Sequence, residues 1–330
     1  MSFTHSLASA AVRAGGALAP QWGAAIALPI FGHVAAPRPI QPEDVATMGR
    51  AERATARIPG IDRRGTDAAV YEWGTARGDV VVLAHGWNGR AGQFATLVRE
   101  LVSEGYRVVA FDAPAHGDSE GRRTYLLDWV AVLGAVQQRH GRFAAVIGHS
   151  FGGLATLVGV GQGIAADRVV TIAAPGDADL LLTQFQRGLR FDDRTAAQLR
   201  RRFARRFFPG DADPFARLSP LRHPLPRGTG LLVVHDESDR MVPFGEAARI
   251  VHANPGARVL ATTGLGHSRI LRADPFLDAV LDFLNAPIIE TSVEVRRPLD
   301  VSPAESSRSP AELRVLRTAS VPLRLARARS

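Results

Sequence analysis

From about residue 68 onward, apolar positions along the chain fall into two alternating kinds of segment. Short, mainly apolar runs occupy residues 80–84, 107–112, 144–147, 169–174, 230–235 and 258–262. Between them, residues 94–104, 125–139, 154–161, 246–253 and 276–285 bring apolar side chains back every three or four positions. The first kind lacks the in-and-out alternation of a strand with one wet face, so it predicts strands buried on both sides. The second predicts the amphipathic helices that bury them. With a further strand at 69–73, this is the signature of an α/β fold, a mostly parallel sheet with helices on both faces.

Two stretches interrupt the alternation. After residue 174 some 55 residues pass before the next strand, where a helix-to-strand connection takes about 2 to 6. An inserted helical cap at about 175–228 accounts for them. Within it, Asp192 and Asp193 start a helix that Pro209 and Gly210 stop, with Ala196, Leu199, Phe203 and Phe207 on one face. Arg200, Arg201, Arg202, Arg205 and Arg206 occupy its other sides. The second interruption is at the start: residues 1–60 are a lead rich in Ala, Gly and Pro, passing through Pro37, Pro39 and Pro42 into a short helix expected at 43–56. The lead reads as a peripheral segment over a domain spanning 61–286. Its Trp22, Ile26, Leu28 and Ile30 suit either the domain surface or a lipid surface. Residues 287–330, rich in Arg, Ser and Pro without periodicity, are expected to be a disordered tail.

Composition narrows the chemistry. At 330 residues and 46% apolar, the chain can bury a sizeable core. It has no cysteine, which excludes disulfides, thiolate metal sites and a cysteine nucleophile. Its net charge of +8 would suggest nucleic acid, but all 40 basic residues are arginine, the mark of a GC-rich coding bias, so nucleic acid is discounted as a partner. The most apolar stretch, 14–37, is broken by Pro20, Gln21, Pro29 and His33. Neither a spanning helix nor a signal peptide is expected from it, and a cytoplasmic location is the expectation. The sequence carries no signal for oligomeric state.

The chemistry centres on Gly148-His149-Ser150-Phe151-Gly152-Gly153, which follows the apolar run 143–147 and opens the helix after it. A strand that turns sharply into a helix at a serine flanked by small residues is the sequence form of a nucleophile elbow. There the helix dipole and the Phe151 N–H face the oxygen that becomes negative in acyl transfer. An activated serine needs a base and a group to hold that base. Asp239, after the strand at 230–235, and His267, after the strand at 258–262, stand where loops at the carboxyl ends of parallel strands converge.

The order Ser150, Asp239, His267 resembles that of the serine-type α/β-hydrolases of the esterase and lipase kind, and the resemblance runs from about 69 to 285. It is carried by His85-Gly86-Trp87, by Asp112-Ala113-Pro114-Ala115-His116-Gly117, by the elbow, by Asp239 and by Gly266-His267. The resemblance implies Ser150 as nucleophile, His267 as base, Asp239 as acid, and the backbone N–H groups of Trp87 and Phe151 as the oxyanion hole. Asp236 is the main rival acid, with Asp177 and Asp179 more distant. His85 and His116 are expected to orient loops, and His149 to fill space beside the serine. A side-chain role for Asn88 in the hole is a lesser alternative. A metal held by His85, Asp112 and His116 lacks ligand spacing, and no cofactor is expected. The cap is expected to select substrate through Leu180, Leu181, Leu182, Phe185, Phe207 and Phe208.

The implied activity is hydrolysis of a small to medium carboxylic ester, a small-molecule acyl substrate, through an acyl-enzyme. Two alternatives stand beside it: a lipid- or thioester-active hydrolase at an anionic interface, and a catalytically silent binding module. The arginine-rich cap helix reads as a solvated face, as a contact for anionic lipid or substrate with peripheral membrane association, or, least, as a nucleic-acid contact.

Overall fold

The computed structural model of the protein describes residues 3–37, 39–60, 64–287 and 325–326. The strands predicted by the apolar runs are all present and share one sheet. In chain order they are β1 (Glu52–Ile58), β2 (Thr66–Trp73), β3 (Val80–Ala84), β4 (Arg107–Phe111), β5 (Phe143–His149), β6 (Ala166–Ile172), β7 (Gly230–Asp236) and β8 (Arg258–Thr262). A two-residue strand, β9 (Leu325–Ala326), lies parallel to the end of β8. The order across the sheet is β1-β2-β4-β3-β5-β6-β7-β8-β9; β2 pairs antiparallel with both β1 and β4, and the remaining neighbours pair parallel.

Alternate residues of the central strands go to two separate cores, which is why the runs show no polar face. Val81, Leu83, Ala145, Ile147, Val170 and Val234 pack on one side with Leu97, Leu101, Phe276 and Val280, from helices Ala95–Ser103 and Asp274–Asn285. Val82, Ala84, Val146, Val169 and Val233 pack on the other with Trp129, Leu133 and Leu157, from helices Leu126–His140 and Phe151–Gly161. At about 25 cal/mol per Å² of apolar surface removed from water, each such two-sided strand anchors the sheet strongly.

The helix expected at 43–56 is not formed. A short helix, Val45–Gly49, ends early and the chain enters β1. Residues 53–58, Arg-Ala-Thr-Ala-Arg-Ile, alternate in the strand period, and pairing with β2 (Ala54 opposite Val70, Ala56 opposite Ala68) turns Ala54, Ala56 and Ile58 to the core. A two-residue period, paired at the sheet edge, outweighed the helix preference of alanine.

The lead holds more order than its glycines suggest. Helices Phe3–Leu18 and Pro20–Phe31 pack on each other, and the second packs on cap helix Asp193–Phe207. Here glycine permits close approach: a Cβ on Gly23 would lie 2.8 Å from the Gly16 Cα, and one on Gly16 would lie 2.6 Å from Thr195 Oγ1. Pro20 stands in the first turn, where its missing N–H costs nothing.

Between β6 and β7, over the span of the long gap, the chain forms helices Ala178–Leu189, Asp193–Phe207 and Pro214–Arg217, called the cap helices. Asp192 caps the middle helix by accepting from the Thr195 N–H at 2.8 Å. Of the four residues expected on its inner face, Leu199 and Phe203 are buried. Apart from Pro287 and β9, the tail 287–330 lies outside the described residues. Among the described residues no helix is long and apolar enough to cross a membrane.

Candidate active site

β5 ends and helix Phe151–Gly161 begins at Ser150, whose φ of +53° lies in a region that costs a non-glycine residue about 1–3 kcal/mol. The flanking glycines are required by contact. A Cβ at Gly148 would sit 2.4 Å from the Gly152 carbonyl oxygen, and one at Gly152 would sit 2.2 Å from the Ala84 carbonyl oxygen. The elbow is therefore pressed against the end of β3, which leads directly into His85-Gly86-Trp87. The Phe151 N–H, at the first helical position, has no acceptor one turn back.

Asp239 and His267 meet, 28 residues apart in sequence: His267 Nδ1 donates to Asp239 Oδ2 at 2.7 Å. The other carboxylate oxygen, Oδ1, accepts from the N–H groups of Met241 (2.7 Å) and Val242 (3.0 Å). Burial pushes the Asp239 carboxyl upward, but the bonds from His267, Val242 and Met241 outweigh it and hold it below the usual carboxylate range. The carboxylate thus stays charged and fixes which nitrogen of His267 carries the proton.

Asp236 has a different task. It accepts from the Ser238 N–H, the Thr262 hydroxyl and the Leu265 N–H at 2.9, 2.7 and 2.9 Å, tying the His267 loop to the end of β7. Asp177 caps helix Ala178–Leu189 and accepts from the Ser219 hydroxyl, and Asp179 pairs with Arg200. None of these three reaches His267 among the described contacts.

The loop histidines are buried and neutral, each orienting backbone. His85 Nδ1 donates to the Gly86 carbonyl (2.7 Å) while Nε2 accepts from the Ala113 N–H (2.9 Å). His116 donates from Nδ1 to the Pro114 carbonyl and accepts at Nε2 from the Asn88 N–H (3.0 and 3.1 Å). Burial lowers His85 to about 4, and burial with the neighbouring His85 lowers His116 to about 3. Asn88 itself, at φ +56°, turns its side-chain oxygen to the Ala35 N–H at 3.3 Å, so the lesser alternative for its amide is not favoured by the geometry. Asp112 accepts from the Ala91 and Asp118 N–H groups and the Tyr71 hydroxyl; it braces the loop after β4. No group of His, Asp and Glu with metal-holding geometry occurs among the described residues.

One residue does more than the sequence suggested. His149, read as filler, donates from Nε2 to the His267 carbonyl oxygen at 2.9 Å, and Gln93 holds its Nδ1 at 3.2 Å. The two rings are 4.8 Å apart. The residue before the elbow serine therefore ties the loop that carries His267. Only the motif position hinted at this; the partner is a backbone oxygen, which leaves no trace in sequence.

Ser150, Trp87 and Phe151 line a cavity of about 350 Å³. Trp87 stacks on Trp129 at 5.9 Å and meets Phe151 edge-on at 5.1 Å. From the cap, Leu181, Leu182, Phe185 and Phe208 line the cavity as expected, whereas Leu180 and Phe207 do not. Phe207 turns instead to Tyr125 and Phe203. Phe31, from the lead, also lines the cavity and was not foreseen, because its ring reaches the site only through the packing of its helix on the cap.

A model of the alpha/beta hydrolase family matches residues 81–279, and the chain belongs to that family. A non-heme chloroperoxidase of Streptomyces lividans is 36% identical over 95 residues, which are 27% of this chain and 33% of that protein. The chain spans about a third of the length of the curated relatives it matches. Among solved structures, an esterase of Pyrococcus furiosus is similar with a TM-score of 0.53 and 22% identity, covering 76% of this chain and 97% of that one. A bromoperoxidase of Bacillus anthracis is similar with a TM-score of 0.53 and 20% identity, covering 71% of this chain and all of the other. At these identities the likeness is one of fold.

Proposed function

We propose that the protein is a serine hydrolase of carboxylic esters, working through an acyl-enzyme. The observation that carries this reading is the His267–Asp239 hydrogen bond of 2.7 Å, in a loop tied by His149 to the strained elbow at Ser150. In the proposed reaction Ser150 Oγ attacks the ester carbonyl while His267 Nε2 takes its proton. The C–O bond to the alcohol then breaks, and His267 returns the proton to the leaving oxygen. Water, deprotonated by the same nitrogen, attacks the acyl-serine; the acid departs and Ser150 regains its proton.

The negative oxygen of each tetrahedral intermediate would sit between the N–H groups of Trp87 and Phe151. The anchoring of Asn88 by His116 next door supports this, since it fixes the peptide that follows Trp87. One such donor is worth roughly 10² to 10³ in rate. The cavity is walled mainly by aliphatic and aromatic side chains, which favours an apolar acyl group of small to medium size.

The test is labelling with a fluorophosphonate probe alongside turnover of p-nitrophenyl esters of graded acyl length. The wild-type chain is expected to label and turn over, and Ser150→Ala to lose both by at least about 10³-fold. Equal turnover by Ser150→Ala would overturn the assignment of the nucleophile. A wild-type chain that neither labels nor hydrolyses any ester would leave the binding-module reading in its place.

A further inference from the structure

The outer surface of the lead helices is nearly without charge. Arg13 is the single charged side chain in helix Phe3–Leu18, helix Pro20–Phe31 has none, and the first acidic residue of the whole chain is Glu43. A helix face turned to water ordinarily carries charged and polar side chains. Here it carries large apolar ones instead: Leu18 is 77% exposed, Trp22 56% and Leu7 55%. Leu7 and Leu18 are eleven residues apart, three turns, and so share a side of their helix; Trp22 and the exposed Ile26 are one turn apart on the next.

Beside this ridge lies an uncompensated row of cations. Cap helix Asp193–Phe207 presents Arg201, Arg202, Arg205 and Arg206 along a groove whose other wall includes Gln21 and Ala25 of the second lead helix. All four arginines are exposed, and none has a carboxylate at ion-pair distance among the described residues, whereas Arg200 on the same helix pairs with Asp179. Exposed tryptophan and leucine flanked by unpaired arginine is the combination that an anionic bilayer surface rewards: the apolar groups enter the boundary between headgroups and acyl chains, and each cation near the surface adds about a fivefold gain in partitioning.

We infer that the lead helix pair and the arginine row of the cap form one docking surface for an anionic lipid bilayer. Duplex nucleic acid would use the arginines and leave the Leu7, Leu18 and Trp22 ridge unexplained; a second copy of this chain, with the same arginine row, would bring like charges together. The surface is also joined to the candidate site, because Phe31 at the end of the second lead helix lines the cavity of Ser150. Resting on the ester-hydrolase reading, this points to acyl esters drawn from or near a membrane as the substrate class. The docking itself does not depend on catalysis.

The full chain and its Ser150→Ala variant should therefore sediment with vesicles of phosphatidylcholine containing phosphatidylglycerol, and much less with phosphatidylcholine alone. Trp22 is a built-in reporter, since Trp73 and Trp129 are buried and Trp87 is half-buried; its emission should shift to the blue on binding, and Trp22→Phe should abolish that shift. Replacing Arg201, Arg202, Arg205 and Arg206 together by Gln should weaken binding by at least about 100-fold at low salt, and Leu18→Ser with Trp22→Ser by at least about tenfold. Both variants should keep wild-type turnover of a soluble short-chain ester, which reports an intact fold. No sedimentation with anionic vesicles, equal binding by the arginine variant, or a dimer that the Leu18 and Trp22 changes dissolve without any vesicle binding would each overturn the proposal. Vesicle binding by a chain with no esterase activity would keep the docking surface and remove only the substrate class.

Discussion

At the scale of single residues, two aspartates three positions apart divide the labour. Asp239 faces the His267 ring, while Asp236 faces the backbone and hydroxyl of the loop that carries it. Their variants should separate cleanly. Asp239→Asn is expected to lower kcat by roughly 10² to 10⁴ with little change in melting temperature, because the amide can neither fix the tautomer nor stabilise a charged imidazole. Asp236→Asn removes a charged acceptor of several bonds and should cost about 1–3 kcal/mol in unfolding free energy. Its kcat should fall at least tenfold less than that of Asp239→Asn. Steady-state kinetics paired with chemical denaturation checks both; the reverse ranking would make Asp236 the functional acid. The sequence could rank these two through the Asp-Arg-x-Val-Pro context, but the reason for Asp236 was illegible, since its partners are main-chain groups. His149 shows the same limit.

At the scale of elements, the central strands and helices were legible because two-sided burial writes a strong pattern. Every apolar run from residue 80 became a strand, and the helices between them formed where the three-to-four spacing placed them. Residues 43–56 and the lead were harder. β1 is decided by its partner β2, a nonlocal term that local propensity does not contain. The lead helices contain glycines that read as breakers, yet Gly16 and Gly23 serve the crossing with Thr195. This packing brings Phe31 against Phe185 and Phe203 with ring centres 5.1 and 5.9 Å apart. Phe31→Ala is accordingly expected to destabilise the protein by about 2 kcal/mol. It should also shift ester preference toward longer or bulkier acyl groups, read as kcat/KM across a chain-length series. An unchanged preference would mean that the lead covers the cap without shaping the cavity.

At the scale of the whole molecule, the buried neutral histidines set an acid limit on stability. Burial holds His85 at about 4; burial and the nearby His85 hold His116 at about 3; burial and the nearby His267 hold His149 at about 3. The unfolded chain takes up these protons once the pH falls below about 6.5, the ordinary histidine value. The native chain does not until near 4 to 3. The contribution is therefore complete above about pH 6.5 and is lost progressively as the pH falls toward 4 to 3, by up to about 1.4 kcal/mol per pH unit for each residue. Denaturant midpoints measured between pH 7 and 4.5 should fall steadily, and His116→Asn should make the slope shallower. A flat profile would show that these rings are protonated in the native state.

The far edge of the sheet has a consequence of its own. Among the described residues β1 borders no further strand, and along it Glu52, Arg53 and Arg57 are exposed, with Arg53 and Arg57 paired to Asp118 and Asp67. A free strand edge offers a row of unpaired amides to any extended chain that meets it. Charges spaced along that row make such a guest bury a guanidinium or a carboxylate before it gains a hydrogen bond. The alternation that sequence reading took for helix thus has a second use: it keeps the growing side of the sheet closed to accretion by other chains.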